Sequence, residues 1–423
     1  MINLRQQFKK EILSWSLLAF AMAAFEGGVA GVLVNHLYRG VVDDLWLNQA
    51  IAIVSGAPAI ANLASPFWAR IEQGRNKVKL VAFLSMFCSL SLLFYIFAPE
   101  SSIGLFLAVC GSLFSRICWS GILTVRSAVW RANYPRYLRA KITASFTLPM
   151  AIILSITGVF IGFISGYSKS YYHVFYLLLL LTGLCGAYLY QTLKIRNAQL
   201  LATKEVELEQ VEGKFSIHTL IGILKSNRPF RSYMMAMFIF GSGNLMFIAP
   251  LILILNDQFH ISQWQQIVIT SSLPLAALPV TIGLWAKLLN KSHIIQYRAI
   301  HSWSFVVALG LFASSSIFDS SWVLWPASFA FGTAVAGAIL GWNLGHHDFS
   351  SPERASHYMA VHVTLTGVRG LIMPVIGVNI YESLMLFNHD LGKYMLILPF
   401  LLSLTGAITF VLLAKKQKRN EAI

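Results

Sequence analysis

Residues 12–34 read ILSWSLLAFAMAAFEGGVAGVLV, a long apolar stretch in which Glu26 is the only charged residue. A helix of about 20 mainly apolar residues is long enough to cross the ~30 Å hydrocarbon core of a bilayer. Apolar and polar residues do not alternate here, so the pattern is typical of a helix and not of a strand. The stretch therefore predicts a first transmembrane helix at about residues 11–37.

Similar apolar stretches recur along the whole chain. Because only helices and closed barrels can cross a bilayer, these stretches predict an all-α membrane protein with about twelve transmembrane helices. After the first, we place the spans approximately at 46–68, 78–98, 103–126, 142–165, 171–193, 231–255, 263–286, 298–318, 321–345, 357–380 and 393–414.

The composition agrees with a lipid environment. Of the 423 residues, 57% are hydrophobic and 12% are charged, whereas a soluble domain carries roughly 25% charged residues. This amount of charge is too small to cover a soluble globule of the same size. The net charge of +15 is explained by basic loops between the helices, so we do not expect nucleic-acid binding.

The distribution of Lys and Arg predicts the orientation in the membrane. Of the 32 such residues, 26 lie in the termini and in the alternate loops on the same side, and the loops of the other side hold three. Basic residues accumulate on the cytoplasmic side, so both termini are predicted to be cytoplasmic. We expect an integral protein of the bacterial inner (cytoplasmic) membrane whose first span is retained and not cleaved as a signal peptide.

An internal repeat divides the chain. The segment Phe67-Trp-Ala-Arg-Ile71 after the second span resembles Leu284-Trp-Ala-Lys-Leu288 after the eighth, which places Trp68 and Trp285 at an offset of 217. The same offset relates Pro135 to Pro352 and Thr147 to Thr364.

The repeat predicts two pseudo-symmetric six-helix bundles, residues 1–194 and 231–423. The polar residues 195–230 between them are predicted to form a cytoplasmic linker that contains one amphipathic helix. Secondary transporters use repeats of this kind to build a central site between two halves.

The chain resembles the major facilitator superfamily over its whole length, with six spans, a basic cytoplasmic linker, six more spans and both ends inside. The loop between spans 2 and 3 is similar to the family signature through Gly74, Arg75 and Lys77, although Ile71 stands where the signature has Asp. In span 4, Arg116 matches part of a second signature. The resemblance implies gradient-driven transport of a small molecule by a monomer, with spans 1 and 4 lining a cavity.

Charged residues inside the spans are the main candidates for a site. Glu26, Arg116 and Arg369 lie near the middle of spans 1, 4 and 11, where a charge costs at least ~2.5–3.5 kcal/mol and faces a partner or a wet cavity. Glu26 is either a protonatable coupling site or the static partner of Arg116. Arg116 and Arg369 either capture an anionic group of the substrate or bond to backbone carbonyls or to a structural carboxylate.

Four further residues complete the predicted substrate-binding and coupling site. Trp119 lies three residues after Arg116 on nearly the same helix face, and it either stacks on an aromatic substrate or packs in the bundle. Asn244 and Asn343 lie in spans 7 and 10, which line the cavity in the family that the chain resembles. His362 in span 11 is a candidate member of a proton relay.

These residues favour a proton-coupled secondary transporter of a small organic solute that is anionic or zwitterionic. One alternative is a multidrug efflux pump for lipophilic cations, which Glu26 could attract. The two arginines at mid-span repel cations, however, and span 5 has Gly158, Gly162 and Gly166 without the Gly-Pro-x-x-Gly-Gly element of drug antiporters. The other alternative is a transporter-like sensor or membrane enzyme that does not transport.

Several chemical motifs are absent from the sequence. It has no P-loop, HExxH or GxSxG pattern, so we expect neither an enzyme nor an ATP-driven pump, and no cofactor. His346, His347 and Asp348 lack the spacing of a known metal motif, so no metal site is predicted. Arg126, near the cytoplasmic end of span 4, is expected to be structural and to extend its charge to the interface.

The topology gives a first testable prediction. A reporter fused after Ile423 and a second one inserted near Lys204 should both report the cytoplasm, because an even number of spans places the termini on one side and the linker falls between the halves. An extracytoplasmic signal at either position would contradict the predicted number of spans.

Overall fold

The computed structural model describes residues 4–134, 136–166, 169–196, 203, 217–350 and 355–421. This part of the chain is almost entirely helical and contains no strand. Twelve of its helical segments are long and apolar enough to cross a membrane, which confirms the twelve predicted spans. Spans 1 to 12 are Arg5–Tyr38, Asp44–Ile71, Lys77–Ile96, Ser102–Ser127, Ser145–Ser165, Tyr171–Gln191, Arg228–Asp257, Gln263–Leu289, Ile294–Ile317, Ser321–Asn343, His357–Phe387 and His389–Arg419.

Seven spans have an uninterrupted α-helical body. In spans 4, 5, 6, 9 and 11 the helices are Ser102–Asn133, Arg136–Ser165, Lys169–Gln191, Ile294–Ile317 and Ala355–Phe387. Spans 10 and 12 begin with the 3₁₀ turns Ser321–Val323 and His389–Leu396 and continue as Leu324–Leu344 and Ile397–Glu421. Several helices extend past the predicted ends of their spans, because a helix does not have to stop where the apolar residues stop.

Five spans are interrupted. The pieces are Leu4–Ala23 and Gly27–Tyr38 in span 1, Asp44–Ile60, Ala61–Ala64 and Ser65–Ile71 in span 2, Lys77–Leu90 and Leu93–Ile96 in span 3, Arg228–Met246 and Ile248–Asp257 in span 7, and Gln263–Ile267, Val268–Ser272 and Leu273–Leu289 in span 8. The breaks in spans 1 and 7 lie in the first span of each half. Interrupted helices in corresponding positions point to a binding site between repeats.

The helices pack mainly against neighbours of the same half. In the first half span 6 packs against spans 1 and 3, and in the second half span 10 packs against spans 8 and 9. The halves meet where span 2 packs on span 11 and where span 5 packs on span 8. Within the predicted linker, the structure describes residues 195–196, 203 and 217–230. The last of these ranges contains the helix Ile217–Ser226, which packs on spans 7 and 11.

The two tryptophans of the internal repeat make equivalent hydrogen bonds. The Trp68 indole donates to the carbonyl oxygen of Ile117 in span 4 at 2.8 Å, and the Trp285 indole donates to that of Thr333 in span 10 at 2.8 Å. Each bond joins the second span of a half to its fourth. The correspondence that the sequence predicts between these two positions is confirmed.

Small residues bring the halves into close contact. A methyl group added at Gly158 of span 5 would lie 2.9 Å from the Ser272 hydroxyl of span 8, and one at Gly162 would lie 2.8 Å from the Trp264 backbone. In span 2, a methyl group at Gly56 would lie 2.7 Å from the Gly370 carbonyl oxygen of span 11. Helices that lack side chains at the contact approach each other closely, which favours packing in lipid.

The first and last described residues, Leu4 and Glu421, lie at the same end of the bundle because the number of spans is even. We call this end the terminal end and the opposite end the distal end. At the distal end, polar side chains join the two halves. Arg39 lies 3.2 Å from the Asp257 carboxylate, which also accepts a hydrogen bond from the Tyr381 hydroxyl at 2.9 Å. Spans 2 and 11 are joined by the pairs Asn48–Glu382 at 3.0 Å and Gln49–Asn379 at 2.5 Å. We call these seven residues the distal lock.

Candidate functional site

The break in span 1 positions the first predicted site residue. Residues 24–26 separate the helix Leu4–Ala23 from the helix Gly27–Tyr38, and Glu26 has extended backbone angles of φ −62° and ψ 131°. The Glu26 side chain does not cap the helix that follows. A break of this kind leaves backbone carbonyls without helical partners, and each of them needs a donor from elsewhere.

Arg116 of span 4 supplies that donor. Its Nε donates to the Phe25 carbonyl oxygen at 2.7 Å, and its Nη2 donates to the Glu26 carboxylate at 2.7 Å. The Arg116 side chain is 7% exposed and the Glu26 side chain is 29% exposed. The structure therefore brings together the two residues that the sequence predicts as a pair, and it leaves the carboxylate partly accessible.

The other side of the break faces the second half of the chain. Gly28, two residues after Glu26, lies against the π-helical segment Val268–Ser272 of span 8, because a methyl group there would be 2.8 Å from the Thr270 hydroxyl. The hydroxyls of Ser271 and Ser272 are buried and have no hydrogen-bond partner in the described part of the chain. Segments of π-helix occur often at functional sites. The Glu26 region is thus a junction of spans 1, 4 and 8.

Arg369 is held in a different way. Its guanidinium donates to the carbonyl oxygens of Met237 and Leu365 and to the Thr366 hydroxyl, and none of its contacts in the described residues is a carboxylate. It lies directly over Gly241 of span 7, where a side chain would occupy the space of the guanidinium. Of the two predicted roles, the structure shows the bonds to backbone carbonyls.

His362 lies on the same face of span 11 as Arg369, because the two are seven residues apart on one helix. Its side chain is fully buried, and neither ring nitrogen has a hydrogen-bond partner in the described residues. The ring centroid lies 5.9 Å from that of Trp342 in span 10. Buried nitrogens without partners are uncommon, so this residue stays a candidate for binding or proton transfer.

The other three predicted site residues point elsewhere. Trp119 stacks on Trp15 with ring centroids 4.8 Å apart, inside the first half, which agrees with the packing interpretation. Asn244 accepts a hydrogen bond from Ser403 of span 12 at 3.3 Å. Asn343 is exposed at the terminal end of span 10 and donates to the carbonyl of its own helix. The structure does not bring these residues together with Glu26 and Arg116.

A second ion pair in the first half is one that sequence reasoning misses. Arg126 does not extend its charge to the interface, because its side chain is 4% exposed and lies 3.3 Å from the buried Glu11 carboxylate. The same carboxylate accepts hydrogen bonds from the Trp130 indole at 2.6 Å and the Tyr134 hydroxyl at 2.8 Å. Burial, with the adjacent carboxylate, raises the pKa of the Tyr134 phenol, which keeps it a donor. With its two oxygens engaged by three donors, Glu11 has a structural role.

Arg298 is a second residue that sequence reasoning misplaces. The sequence assigns it to the basic loop between spans 8 and 9. In the structure it lies inside the span 9 helix and is 1% exposed. Its Nη1 lies 3.3 Å from Nδ1 of His301, and its Nε has no hydrogen-bond partner among the described residues. An arginine so close to the start of an apolar stretch is easily assigned to the preceding loop. Its burial becomes visible only in the structure, where span 10 packs against it.

Comparisons with known proteins agree with this architecture. A family model described as Major Facilitator Superfamily matches residues 11–374. Among solved structures, the nucleoside transporter NupG is similar with a TM-score of 0.71 and 15% identity, covering 97% of this chain and 100% of its own. The POT family transporter PepTSo has a TM-score of 0.71, 13% identity and 98% coverage of both chains. A D-xylose-proton symporter has a TM-score of 0.68, 11% identity and 96% coverage of both chains. No curated protein sequence matches the chain.

The two bonds of Arg116 give a stability prediction. We expect Arg116→Met to lower the free energy of unfolding by about 3 kcal/mol, because it leaves Glu26 and the Phe25 carbonyl without a partner. The double variant with Glu26→Gln should recover part of this loss and stay about 1–3 kcal/mol below the unsubstituted protein, since the carbonyl is still unpaired. Unfolding in detergent measures both, with exposed Arg70→Met as control. Full recovery in the double variant would contradict a role for the carbonyl bond.

Proposed function

The chain belongs to the Major Facilitator Superfamily, and from this premise we propose that it is a secondary active transporter that moves a small organic, anionic or zwitterionic solute by alternating access, coupled to protons. The observation that carries the proposal is the Glu26–Arg116 pair at the break of span 1, where the two halves of the chain meet. We further propose that the protein works as a monomer in the inner membrane of a bacterium, with the terminal end in the cytoplasm.

The charges inside the spans support an anionic group on the solute. Arg116 is buried and keeps donors close to a carboxylate that is partly accessible, and Arg369 has no carboxylate partner in the described residues. Guanidinium groups bind carboxylates and phosphates through paired hydrogen bonds. Positive charges in these positions repel a lipophilic cation, so they disfavour the efflux of cationic drugs.

The same pair suggests how a proton gradient drives transport. When an anionic group of the solute takes the donors of Arg116, Glu26 loses its paired cation, and a carboxylate without a cation takes up a proton more readily. Solute binding and proton uptake would then occur together, at a carboxylate that is already partly accessible. Reversal of both steps on the other side of the membrane would release the solute and the proton.

In alternating access, the distal lock would close the distal end of the path in one of the conformations. Its pairs join span 1 to span 7 and span 2 to span 11, so the halves are held together at the distal end. Transport requires that the path open at this end in another conformation. The Gln49–Asn379 pair is exposed and the other contacts are only partly buried, so water can compete for their hydrogen bonds and each contact can break in each cycle.

The coupling role of Glu26 can be tested in proteoliposomes. We expect Glu26→Gln, which mimics the protonated carboxyl group, to fold and to exchange solute across the membrane. It should not accumulate solute when a pH gradient is imposed, because no proton binds or leaves at residue 26. Asp319→Asn is the matched control, since it removes a carboxylate at the distal end whose side chain is 72% exposed. Accumulation by Glu26→Gln at the unsubstituted level would exclude Glu26 and leave His362 as the next candidate.

The opening of the distal end can be tested by cross-linking. In a background without the four native cysteines, Gln49→Cys and Asn379→Cys place two thiols where the side chains lie 2.5 Å apart. We expect oxidation to stop solute flux and a reductant to restore it, because a disulfide holds spans 2 and 11 together. Each single cysteine variant, treated in the same way, is the control. Undiminished flux in the cross-linked protein would show that this contact stays closed throughout the cycle.

A further inference from the structure

The buried arginines of the two halves differ in their partners. In the first half, Arg116 pairs with Glu26 and Arg126 pairs with Glu11. In the second half, Arg298 and Arg369 are almost fully buried, and neither has a carboxylate within ion-pair distance in the described residues. Charged groups in a membrane interior normally pair with each other or face a wet cavity. In its described residues, the second half thus holds two buried positive charges without a carboxylate partner.

Packing places Arg298 close to two other polar residues. Two glycines four residues apart, Gly341 in span 10 and Gly345 directly after its helix, lie against other spans, and a methyl group at Gly341 would lie 2.8 Å from the Arg298 guanidinium. One at Gly345 would lie 3.1 Å from the Tyr233 hydroxyl of span 7. The residue after Gly341 is Trp342, whose ring lies beside His362. Residues 341–345 therefore lie beside Arg298, His362 and Tyr233, near the terminal end.

These side chains have hydrogen-bonding atoms that nothing in the described chain satisfies. The Arg298 Nε and both ring nitrogens of His362 are buried without a hydrogen-bond partner among the described residues, and the buried Tyr233 hydroxyl has the Arg298 guanidinium as its neighbour. His362 also lies within electrostatic reach of Arg298 and Arg369. Buried donors without an acceptor are costly in a low-dielectric interior. An acceptor that carries negative charge would satisfy the donors and offset the charge at once.

The acidic group that acts on this cluster is engaged elsewhere. Asp348, in the segment that follows span 10, acts electrostatically on Tyr233. Its carboxylate accepts a hydrogen bond at 2.6 Å from the backbone amide of Ile294, at the start of span 9. It makes no ion pair with Arg298 or Arg369 in the described residues. The positive charge of the cluster is left for a group that comes from outside the chain.

We propose that Tyr233, Arg298 and His362 form a binding site for an oxyanion, the phosphate or carboxylate group of the transported solute. The inference rests on the proposed function and assigns the anionic end of the solute to the second half of the chain. Arg369 lies seven residues further along span 11 than His362, or about 10 Å deeper at 1.5 Å per residue. It provides the next positive group on the path from the terminal end toward Glu26 and Arg116.

Thermal unfolding of the purified protein in lipid-free detergent tests the site. Inorganic phosphate, sulfate or acetate should raise the unfolding temperature more than chloride at equal ionic strength, because a ligand of the folded state stabilises it. Arg298→Gln should require about tenfold more anion for the same shift. Without anion, this variant should be at least as stable as the unsubstituted protein, because an unpaired buried charge is removed.

Arg126→Gln is the matched control. It should lower the unfolding temperature without anion, because it leaves Glu11 unpaired, and it should keep the response to anions. The proposal is overturned if no oxyanion acts differently from chloride, if Arg298→Gln responds like the unsubstituted protein, or if it is destabilised as much as Arg126→Gln. Arg298→Lys keeps the positive charge but cannot form the paired hydrogen bonds of a guanidinium, and this second variant should show an intermediate response.

Two further arms separate the site from its alternatives. A shift with phosphatidylglycerol but none with inorganic phosphate would assign the cluster to a lipid headgroup and overturn the assignment to the solute. The binding measurement needs no gradient and no transport. Suppose that Arg298→Gln weakens the response to anions but a pH gradient drives no solute accumulation by the unsubstituted protein. That result would support the binding site and refute proton-coupled transport.

Discussion

The structure depends on how a broken helix is satisfied inside a membrane. A span that interrupts its helix leaves backbone carbonyls exposed to a medium without water, where each unsatisfied group costs several kcal/mol. Arg116 meets this constraint at Phe25 and uses a second nitrogen to hold Glu26. The break in turn allows the glycines that follow Glu26 to lie against spans 2 and 8. A single guanidinium therefore stabilises the backbone, the carboxylate and the junction of the two halves.

The buried Arg116 and Arg126 of the first half pair with carboxylates, whereas the buried Arg298 and Arg369 of the second half have none within ion-pair distance in the described residues. Glu11 and Arg126 form a pair that aromatic rings enclose, with the Arg126 guanidinium 3.4 Å from the centre of the Trp15 ring. Such an enclosed pair is expensive to break and is suited to a fixed support. Glu26 and Arg116 form a pair that is partly accessible, which suits a group that changes partners. Arg298 and Arg369 have carbonyls, a hydroxyl and a histidine as neighbours, so an added anion would gain the most in that half.

The sequence predicted features that depend on how far a residue lies along a helix, such as its depth in the membrane. It missed features that depend on which neighbouring helix a side chain faces and on where each helix begins and ends. Twelve apolar stretches predicted twelve spans, and the depth of Glu26 and Arg116 predicted their pairing. The repeat predicted the equivalence of Trp68 and Trp285, which the indole hydrogen bonds confirm. Trp119 could not be assigned to a cavity or a core, because that choice depends on which neighbour packs beside it. Glu11 and Arg298 lie near the ends of spans, where a charged residue in sequence looks like part of a loop.

One short helix connects the two parts of the molecule that matter most for alternating access. The helix Gly27–Tyr38 begins directly after Glu26 and ends directly before Arg39. Its 12 residues are about 18 Å long at 1.5 Å per residue, and a packed helix of this length moves as a unit. Glu26 is therefore at one end of a rigid segment whose other end holds Asp257 of the distal lock. A change of partner at Glu26 that shifts this segment also acts on the Arg39–Asp257 pair. In the proposed cycle, the proton and the solute at Glu26 would thus act on the distal end from about 18 Å away.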